Sequence, residues 1–442
     1  MLSERRGVRG VVGVSLLSCL ALVATACSGG GSAASTATRG VTINVALAIP
    51  SPPKASLAAF TKSTGITVHW TNIDWDSLQT KIAAAATAHT YFADATDVDW
   101  SRVGQLSKLK WFHPMQNYVD TKSLAADMPQ MTSFTVGKEV VGVPFDASFL
   151  TTTVNKKMFA DAGITAMPRT MAQYTADLRR IRSKGVVDHP LDIPFAAAEG
   201  LSTYWYQATA AFGGTVLDTH GRPRFTSPGS AGYKAAQWMV DAMRQGLVPP
   251  GNINTTDSQG TQTEMAKGTV ASVFSDYSGN VGSLYDVPSS STVVKQVGYL
   301  APPGAGGPAP NLSNPDGIGI PQAAKYPVAA AKFIKWFTAA DNQAAFAGLD
   351  GPDKTLRTYS LPSRLSAVHK LAAKGDLVGA SAMSTMLASG TRPVFPGGAP
   401  SWYPQFSNAV YTNLHAAATG SLSVKGAIKA IAGTANRLAS GS

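Results

Sequence analysis

The stretch GKEVVGVPFDASFLTTTVNKKMFADAGI, residues 137–164, decides the fold of this chain. Gly137 and Lys138 form a tight turn between two short runs, which predicts a pair of strands. A long extended run from Phe145 to Val154 follows and leads into a helix that Gly163 ends. The stretch therefore predicts a strand pair, a long extended connection and a helix in immediate succession.

Upstream of this stretch, strands alternate with helices. Apolar residues alternate with others over 41–47 and over 66–70, an Ala-rich helical pattern follows, and a third strand ends within 97–100. Strands separated by helices imply a parallel sheet with right-handed crossovers, and ligands bind such sheets at the carboxyl ends of the strands. The following loops should therefore meet at one rim: 48–53, 72–76 and 97–101.

The first 26 residues have the layout of a secretory signal peptide. Arg5 and Arg6 precede an apolar run over 11–23, which is too short for a transmembrane helix, and small residues then lead to Cys27. The ending resembles a lipobox, in which the cysteine is diacylated, although Ala24 stands where leucine is usual. We predict a lipidated Cys27. Simple cleavage to a plain secreted protein is the alternative, and the arginine pair leaves twin-arginine export open.

Beyond the signal peptide, the chain divides into a tether and a large body. Residues 27–39 are mostly Gly, Ser, Ala and Thr, a composition that behaves as a flexible linker. The body of about 400 residues is too long for one hydrophobic core, so we expect two lobes. Cys19 and Cys27 are the only cysteines, which leaves the body without a disulfide or a thiolate nucleophile.

The sequence shows no pattern typical of nucleic-acid binding or of catalysis. The net charge is +11, but Lys and Arg are scattered and form no stripe with aromatic residues, so we expect no nucleic-acid partner. The seven histidines lack metal-ligand spacing, and no Gly-x-Ser-x-Gly or Walker-type motif occurs. We therefore predict neither a metal, a cofactor nor catalytic residues.

The opening stretch resembles family 1 extracellular solute-binding proteins, at the point where the chain crosses from the first lobe to the second. That family carries Gly-x-Pro and then Tyr-Asn-Lys; here Val154 replaces the tyrosine, while Asn155 and Lys156 remain. Further segments resemble the family in order along the chain: YWYQATAAFGG (204–214), GLVPPG (246–251), MAKGTVASVFSDYSG (265–279), DGIGIPQAAKYPVAAAKFIKWF (316–337), LPSRLS (361–366) and WYPQFSNAVYTNLHAAATGSLSVKGAI (402–428).

The resemblance implies an α/β, two-lobed, periplasmic-binding-protein-like fold of type II. A ligand cleft would lie between the lobes, which two or three hinge crossings would join. Lobe one would comprise residues 40–147 plus 273–320, and lobe two residues 148–272 plus 321–437.

The same resemblance implies a role in import. The protein would capture a carbohydrate as a monomer, lipid-anchored outside the cell membrane, and deliver it to the permease and ATPase subunits of an ABC importer. The number of aromatic residues favours a di- or oligosaccharide. A secreted glycoside hydrolase, which needs two carboxylates flanking a sugar, is one alternative. A binding protein for a polyol or a glycerophosphodiester is another.

Aromatic residues beside polar ones are the candidate sugar contacts. Aromatic rings stack on the C–H faces of a sugar, and carboxylates hydrogen-bond its hydroxyl groups. We expect Tyr277 to come from lobe one, and Trp205 and Trp402 from lobe two. Packing within a single lobe is the alternative for each ring, and a turn within the hinge is the alternative for Asp146. The predicted ligand contacts are Trp75, Asp99, Asp146, Glu199, Tyr204, Trp205, Asp276, Tyr277, Asp316, Trp402 and Tyr403.

Overall fold

The computed structural model describes residues 35–347, 361–377, 379–389 and 391–441. The predicted signal peptide, Cys27 and the first part of the predicted tether lie outside these residues. Within the described ranges, no helix is both long enough and apolar enough to span a membrane.

Strands and helices alternate along most of the described chain. The strands are β1 (Val41–Leu47), β2 (Ile66–Asn72), β3 (Ala95–Asp99), β4 (Thr135–Val136), β5 (Glu139–Val140), β6 (Val143–Pro144), β7 (Leu150–Asn155), β8 (Leu191–Asp192), β9 (Ser272–Tyr277), β10 (Val297–Leu300) and β11 (Asp316–Gly319). The helices are α1 (Lys54–Thr64), α2 (Trp75–Ala88), α3 (Val103–Lys108), α4 (Thr121–Asp127), α5 (Lys156–Asp161), α6 (Met171–Ser183), α7 (Glu199–Ala211), α8 (Ala231–Arg244), α9 (Gln262–Lys267), α10 (Pro327–Phe337), α11 (Ala340–Ala347), α12 (Leu365–Lys374), α13 (Ala380–Ser389), α14 (Tyr403–Ala418) and α15 (Val424–Ala439).

Lobe one is built on a five-stranded sheet with the order β2-β1-β3-β11-β6. β1 pairs in parallel with β2 and β3, as the sequence predicted, whereas β11 runs antiparallel to β3 and β6. Phe60 of α1 and Phe333 of α10 share one buried cluster, with ring centroids 5.8 Å apart. Leu78 and Ile82 of α2 belong to a second cluster. The carboxyl ends of the three parallel strands consequently form one rim.

Lobe two is built on a four-stranded sheet with the order β10-β7-β9-β8. Nearly every residue of α7 is buried, because the helix packs among α8, α14 and the sheet. Buried residues of α14 and α15, including Phe406 and Ile428, belong to the same core cluster as α7 and β9.

The structure corrects the predicted lobe boundaries. β9 and β10 belong to the sheet of lobe two, since both pair with β7. The segment 321–347, which carries α10 and α11, packs in the core of lobe one. The prediction had these two regions reversed. The local sequence of each region predicts an ordinary strand or helix, but the residues it packs against are distant in the sequence. For example, the Thr152 hydroxyl donates to the carbonyl of Phe274, 122 residues further along the chain.

Extended segments cross between the lobes side by side. The first crossing, between β6 and β7, is bonded to the segment that leads into β11: the Leu150 nitrogen donates to the Leu312 carbonyl at 2.8 Å. A third segment joins the other flank, where the Ala147 nitrogen donates to the Leu361 carbonyl at 2.9 Å. The lobes are therefore joined by hydrogen-bonded strands, as the family resemblance implied.

Candidate functional site

Four carboxylates gather at the rim of the first sheet. Asp97 and Asp99 lie two residues apart on β3, so their side chains leave the same face of the strand. Asp316 of β11 lies directly opposite Asp99 in the antiparallel ladder. Asp146, in the first crossing, accepts a hydrogen bond from the backbone nitrogen of Asp316 at 2.9 Å. We call these four residues the acidic rim.

Burial and repulsion between neighbouring carboxylates favour the protonated forms of Asp97, Asp146 and Asp316. Burial raises the pKa of Asp146 to about 7, even though the backbone nitrogens of Asp316 and Ser148 hydrogen-bond its carboxylate. Burial, followed by the charge of Asp99, raises the pKa of Asp97 well above its ordinary value. Burial, followed by the charges of Asp97 and Asp146, does the same for the pKa of Asp316. A protonated carboxyl group can both donate and accept, which suits hydroxyl-bearing ligands.

The start of α2 positions two polar contacts on the acidic rim. Asp74 caps this helix by accepting from the Ser77 nitrogen at 3.0 Å. Trp75 and Gln79 are four residues apart and share a helix face. The Trp75 indole nitrogen donates to Asp99 at 3.2 Å, and the Gln79 amide donates to Asp97 at 2.5 Å.

Side chains of both lobes meet in an ion pair. Arg102, just before α3, lies 3.3 Å from Glu199, the first residue of α7, where the helix dipole favours a negative charge. The Tyr403 hydroxyl donates to the same carboxylate. The Arg102 guanidinium also lies 5.4 Å from the ring centroids of Trp75 and Tyr403. We call Arg102, Glu199 and Tyr403 the interlobe clamp; it unites two predicted residues with one that the sequence analysis missed.

Asp276 lies in a polar cluster within lobe two. Its carboxylate accepts from the Thr153 hydroxyl at 2.6 Å, the Asn280 amide at 2.5 Å and the Tyr285 hydroxyl at 2.8 Å, as well as from a backbone nitrogen. The residue is 1% exposed. This satisfied carboxylate holds the end of β9 in place, and its contact with a ligand stays a prediction.

Tyr277 and Tyr204 belong to lobe two. The expectation that Tyr277 comes from lobe one is therefore wrong. Tyr277 is half-buried, and its hydroxyl donates to Asp257 at 2.7 Å. Burial raises the pKa of Tyr277 well above its ordinary value. The charge of Asp257 is the next cause, and the charge of Asp316 in the acidic rim also contributes. Tyr277 thus lies within electrostatic range of lobe one, whereas Tyr204 is buried behind it.

Two of the predicted tryptophans pack within lobe two. Trp205 is 0% exposed, and its indole nitrogen donates to the Gly232 carbonyl at 2.8 Å between α7 and α8. Trp205 packs as a core residue, the alternative that the sequence left open, and its stacking on a ligand stays a prediction. Trp402 is half-buried and meets Phe406 edge to face at 5.9 Å, so its contact with a ligand stays a prediction.

Two cavities lie where the lobes meet, on either side of α3. One has a volume of about 370 Å³ and is lined by Trp75, Gln79 and Arg102 of lobe one and by Glu199 and Tyr411 of lobe two. The other has a volume of about 400 Å³ and is lined by Trp100, Ser313 and residues 393–399, among others. Volumes of this size hold small-molecule ligands.

A close backbone contact separates the two cavities. Gly104 of α3 packs against Ala399, Pro400 and Ser401, and a Cβ atom at this position would overlap the Ala399 carbonyl oxygen. Trp100 is also engaged with the other lobe, since its ring lies 5.8 Å from that of Tyr403. The two lobes are therefore in direct contact through the segment 100–104.

Sequence reasoning missed three polar groups at this interface. Arg102 follows the predicted rim loop 97–101 by one residue, and that position was the available signal. Gln79 lies in the Ala-rich helical pattern that follows the second strand, and no ligand contact was predicted for it. Ser313 has a buried hydroxyl without a hydrogen-bond partner in the part of the chain that the structure describes. Across the described residues, no group of three or more His, Cys, Asp and Glu side chains is arranged to hold a metal ion.

Comparison with known proteins agrees with this architecture. Over 239 residues, the chain is 24% identical to a binding protein of Brucella abortus strain 2308. The aligned region covers 52% of this chain and 53% of that protein. It thus matches about half the length of this curated relative. The fold is similar to that of maltose-bound T. maritima MalE3, with a TM-score of 0.77, 20% identity, and coverage of 90% of this chain and 100% of the other.

A second solved structure is an ABC transporter solute-binding protein from Agrobacterium radiobacter K84 in complex with ribitol. Its TM-score is 0.77 at 21% identity, covering 91% of this chain and 99% of the other. The sequence profile of bacterial extracellular solute-binding proteins matches residues 48–344, more than half of the chain. The protein therefore belongs to the family of bacterial extracellular solute-binding proteins and acts outside the cytoplasm.

Proposed function

We propose that this protein is the substrate-binding component of an ABC importer, which captures a carbohydrate between its lobes and delivers it to the permease. The observation that carries the proposal is the cavity of about 370 Å³ lined by Trp75 and Gln79 from one lobe and Glu199 from the other. The maltose and ribitol named for the two similar structures support a hydroxyl-rich ligand. The second cavity, of about 400 Å³, offers room for a di- or oligosaccharide.

The groups in the first cavity match the chemistry of a sugar. The half-buried indole of Trp75 can stack on a C–H face, while Gln79 and Glu199 bond hydroxyl groups. The Nη1 atom of Arg102 is buried and lacks a hydrogen-bond partner among the described residues, so it can donate to the ligand. A ligand that contacts both lobes binds the closed form better, and this difference in affinity is what shifts the population toward closure.

The acidic rim distinguishes between the remaining ligand classes. A protonated carboxyl of the acidic rim offers no positive charge to the phosphate of a glycerophosphodiester, and an ionised one would repel it; Arg102, the cation beside the acidic rim, is already paired with Glu199. A polyol carries no such charge and remains the second candidate, favoured by the ribitol-bound structure.

We further propose that the ligand is released unchanged. Both Glu199 and Asp276, the candidate acid–base groups of a hydrolase, accept hydrogen bonds from protein donors that fix them in place. Recovery of labelled oligosaccharides after incubation tests this proposal: intact sugar is expected, and hydrolysis that depends on Glu199 would contradict it.

Calorimetric titration of the protein with sugars, polyols and glycerophosphodiesters tests the ligand class. A carbohydrate should bind, and saturating ligand at a hundredfold excess over Kd should stabilise the fold by about 2.7 kcal/mol. Tight binding of a phosphodiester and of no sugar would contradict the proposal.

The cellular arrangement follows from the same role. We propose that the monomeric protein is anchored through acyl chains on Cys27 and works with permease and ATPase subunits. In detergent phase separation, the native protein should enter the detergent phase, and the Cys27→Ser protein should stay in the aqueous phase. Identical partitioning of the two forms would show that Cys27 is not acylated.

A further inference from the structure

An exposed basic surface lies on lobe one, at the opposite edge of the sheet from the acidic rim. It surrounds an open hollow of about 650 Å³, whose walls come from residue 39, α1 and α10. Arg39, Lys332 and Lys335 line the hollow, and Lys62 immediately precedes its wall residue Ser63. The four cations are exposed, and we call them the basic face.

The two segments that build the basic face carry no acidic residue to compensate its charge. The sequence contains no Asp or Glu between residues 35 and 73 or between 317 and 340, the two segments that build this surface. Among the described residues, the basic face takes part in none of the salt bridges, whereas exposed lysines elsewhere do pair: Lys157 lies 2.6 Å from Asp161. An unopposed cluster of this kind attracts a negatively charged partner.

The floor of the hollow is aromatic. Trp336 is half-buried, with its ring centroid 4.9 Å from that of Phe60. Indole rings prefer the boundary between water and lipid, and lysine stems lie along apolar surface while their ammonium groups reach phosphates. Cations around a partly exposed tryptophan therefore fit an anionic phospholipid surface better than a soluble polyanion.

The chain also enters the body at this face. The Ser35 nitrogen donates to the Lys325 carbonyl at 2.8 Å, just before α10, and the Gly40 nitrogen donates to the Gly65 carbonyl at 2.7 Å, just after α1. Cys27 precedes Ser35 by eight residues. At 3.3–3.6 Å per residue, an acyl chain on Cys27 cannot lie more than about 30 Å from Ser35.

We propose that the basic face docks lobe one onto an anionic phospholipid surface, as a second membrane contact beside the acyl chains. This inference goes beyond the import role and rests on the proposed anchor only for the reach of the tether. Because the basic face lies at the amino ends of β1 and β2, docking leaves the cleft at the other edge of the sheet unobstructed.

Sedimentation with vesicles tests the proposal without the acyl chains. Secreted protein carrying Cys27→Ser is mixed with vesicles of phosphatidylcholine alone or with phosphatidylglycerol. We expect binding to the anionic vesicles, and a loss of about tenfold or more in the Lys332→Glu/Lys335→Glu variant. Raising the ionic strength from about 0.05 M to about 0.5 M should weaken binding as well.

The matched control is Lys425→Glu/Lys429→Glu, which makes the same charge change at exposed positions of α15 in lobe two. It should keep vesicle binding. Equal losses in both variants, equal binding to both kinds of vesicle, or normal vesicle binding by the Lys332→Glu/Lys335→Glu variant would each overturn the proposal. Sugar titration of the same samples keeps the two proposals apart, because the basic face does not line the cleft.

Discussion

Gly104 should decide whether the two lobes can close. Replacing it with alanine adds one methyl group at the point where α3 meets the loop of lobe two. The new Cβ would lie 3.0 Å from the Pro400 carbonyl carbon and the Ser401 nitrogen, and nearer still to the Ala399 oxygen, whereas ordinary van der Waals contact begins at 3.4 Å. The obstacle is backbone, which cannot rotate away, so the lobes must separate by about 1 Å.

The size of the effect follows from the cost of overpacking. An added methyl group in a tight contact costs about 1–3 kcal/mol. Because this contact joins the two lobes, we expect the clash in a closed form and not in an open one; the cost would then fall on closure and weaken ligand binding by about 5-fold to 150-fold. The melting temperature of the free protein should change little, because the methyl group enters neither lobe's core.

Calorimetric titration of Gly104→Ala with the best-binding sugar measures this loss, and small-angle scattering measures closure at saturation. Gly433→Ala is the matched control: it is also a helical glycine, but a Cβ there would meet nothing within 4 Å. An unchanged Kd for Gly104→Ala, with normal compaction on binding, would refute the view that this contact belongs to the ligand-bound closed form.

Three further predictions concern the carboxylates and the indole. For Asp276→Asn, we expect the free energy of unfolding in urea to fall by about 1–3 kcal/mol, because buried donors lose their acceptor; unchanged stability with lost sugar binding would instead return Asp276 to the site. The pKa of Asp146 rises on folding from 3.8 to about 7, so its contribution to stability is fully present below pH 3.8 and is lost as the pH rises to about 7. That contribution is at most about 4 kcal/mol. In Asp146→Asn, the free energy of unfolding should therefore depend less steeply on pH. An equally steep dependence would contradict the raised pKa of Asp146. Finally, Trp75→Ala should weaken sugar binding by about 1–3 kcal/mol in calorimetry, whereas Trp75→Phe should retain most of the affinity; equal losses would show that the indole hydrogen bond matters and stacking does not.

Sequence patterns predicted those parts of the fold that local chemistry determines. β1 and β2 show alternating apolar residues, β3 follows the next helical pattern, and their parallel order follows from the intervening helices. The rim at their carboxyl ends was therefore predictable, and with it Trp75 and Asp99. The sheet to which β9 belongs was not, because its pairing with β7 depends on residues far away in the sequence.

Only part of the candidate site could be predicted from the sequence, and the reason is related. α7 is buried on almost every side, so the sequence offers no polar face to show which of its aromatic residues points inward. Tyr204 and Trp205 were thus indistinguishable from cleft residues. Arg102 escaped notice because its importance arises from Glu199 and Tyr403, which only the folding of both lobes brings within reach.

The discontinuous construction of lobe two sets the order in which the chain can fold. Its sheet begins at β7, but the core that covers this sheet also needs Phe406 of α14 and Ile428 of α15. α14 and α15 pack against α7 and α8, so during synthesis the apolar faces of α7 and α8 stay partly uncovered until α14 and α15 have emerged from the ribosome. Lobe two therefore cannot complete its core until translation is nearly finished, and a chain with an incomplete core can still be threaded through a narrow secretion channel. Truncation before α15 would leave such a chain unable to complete lobe two.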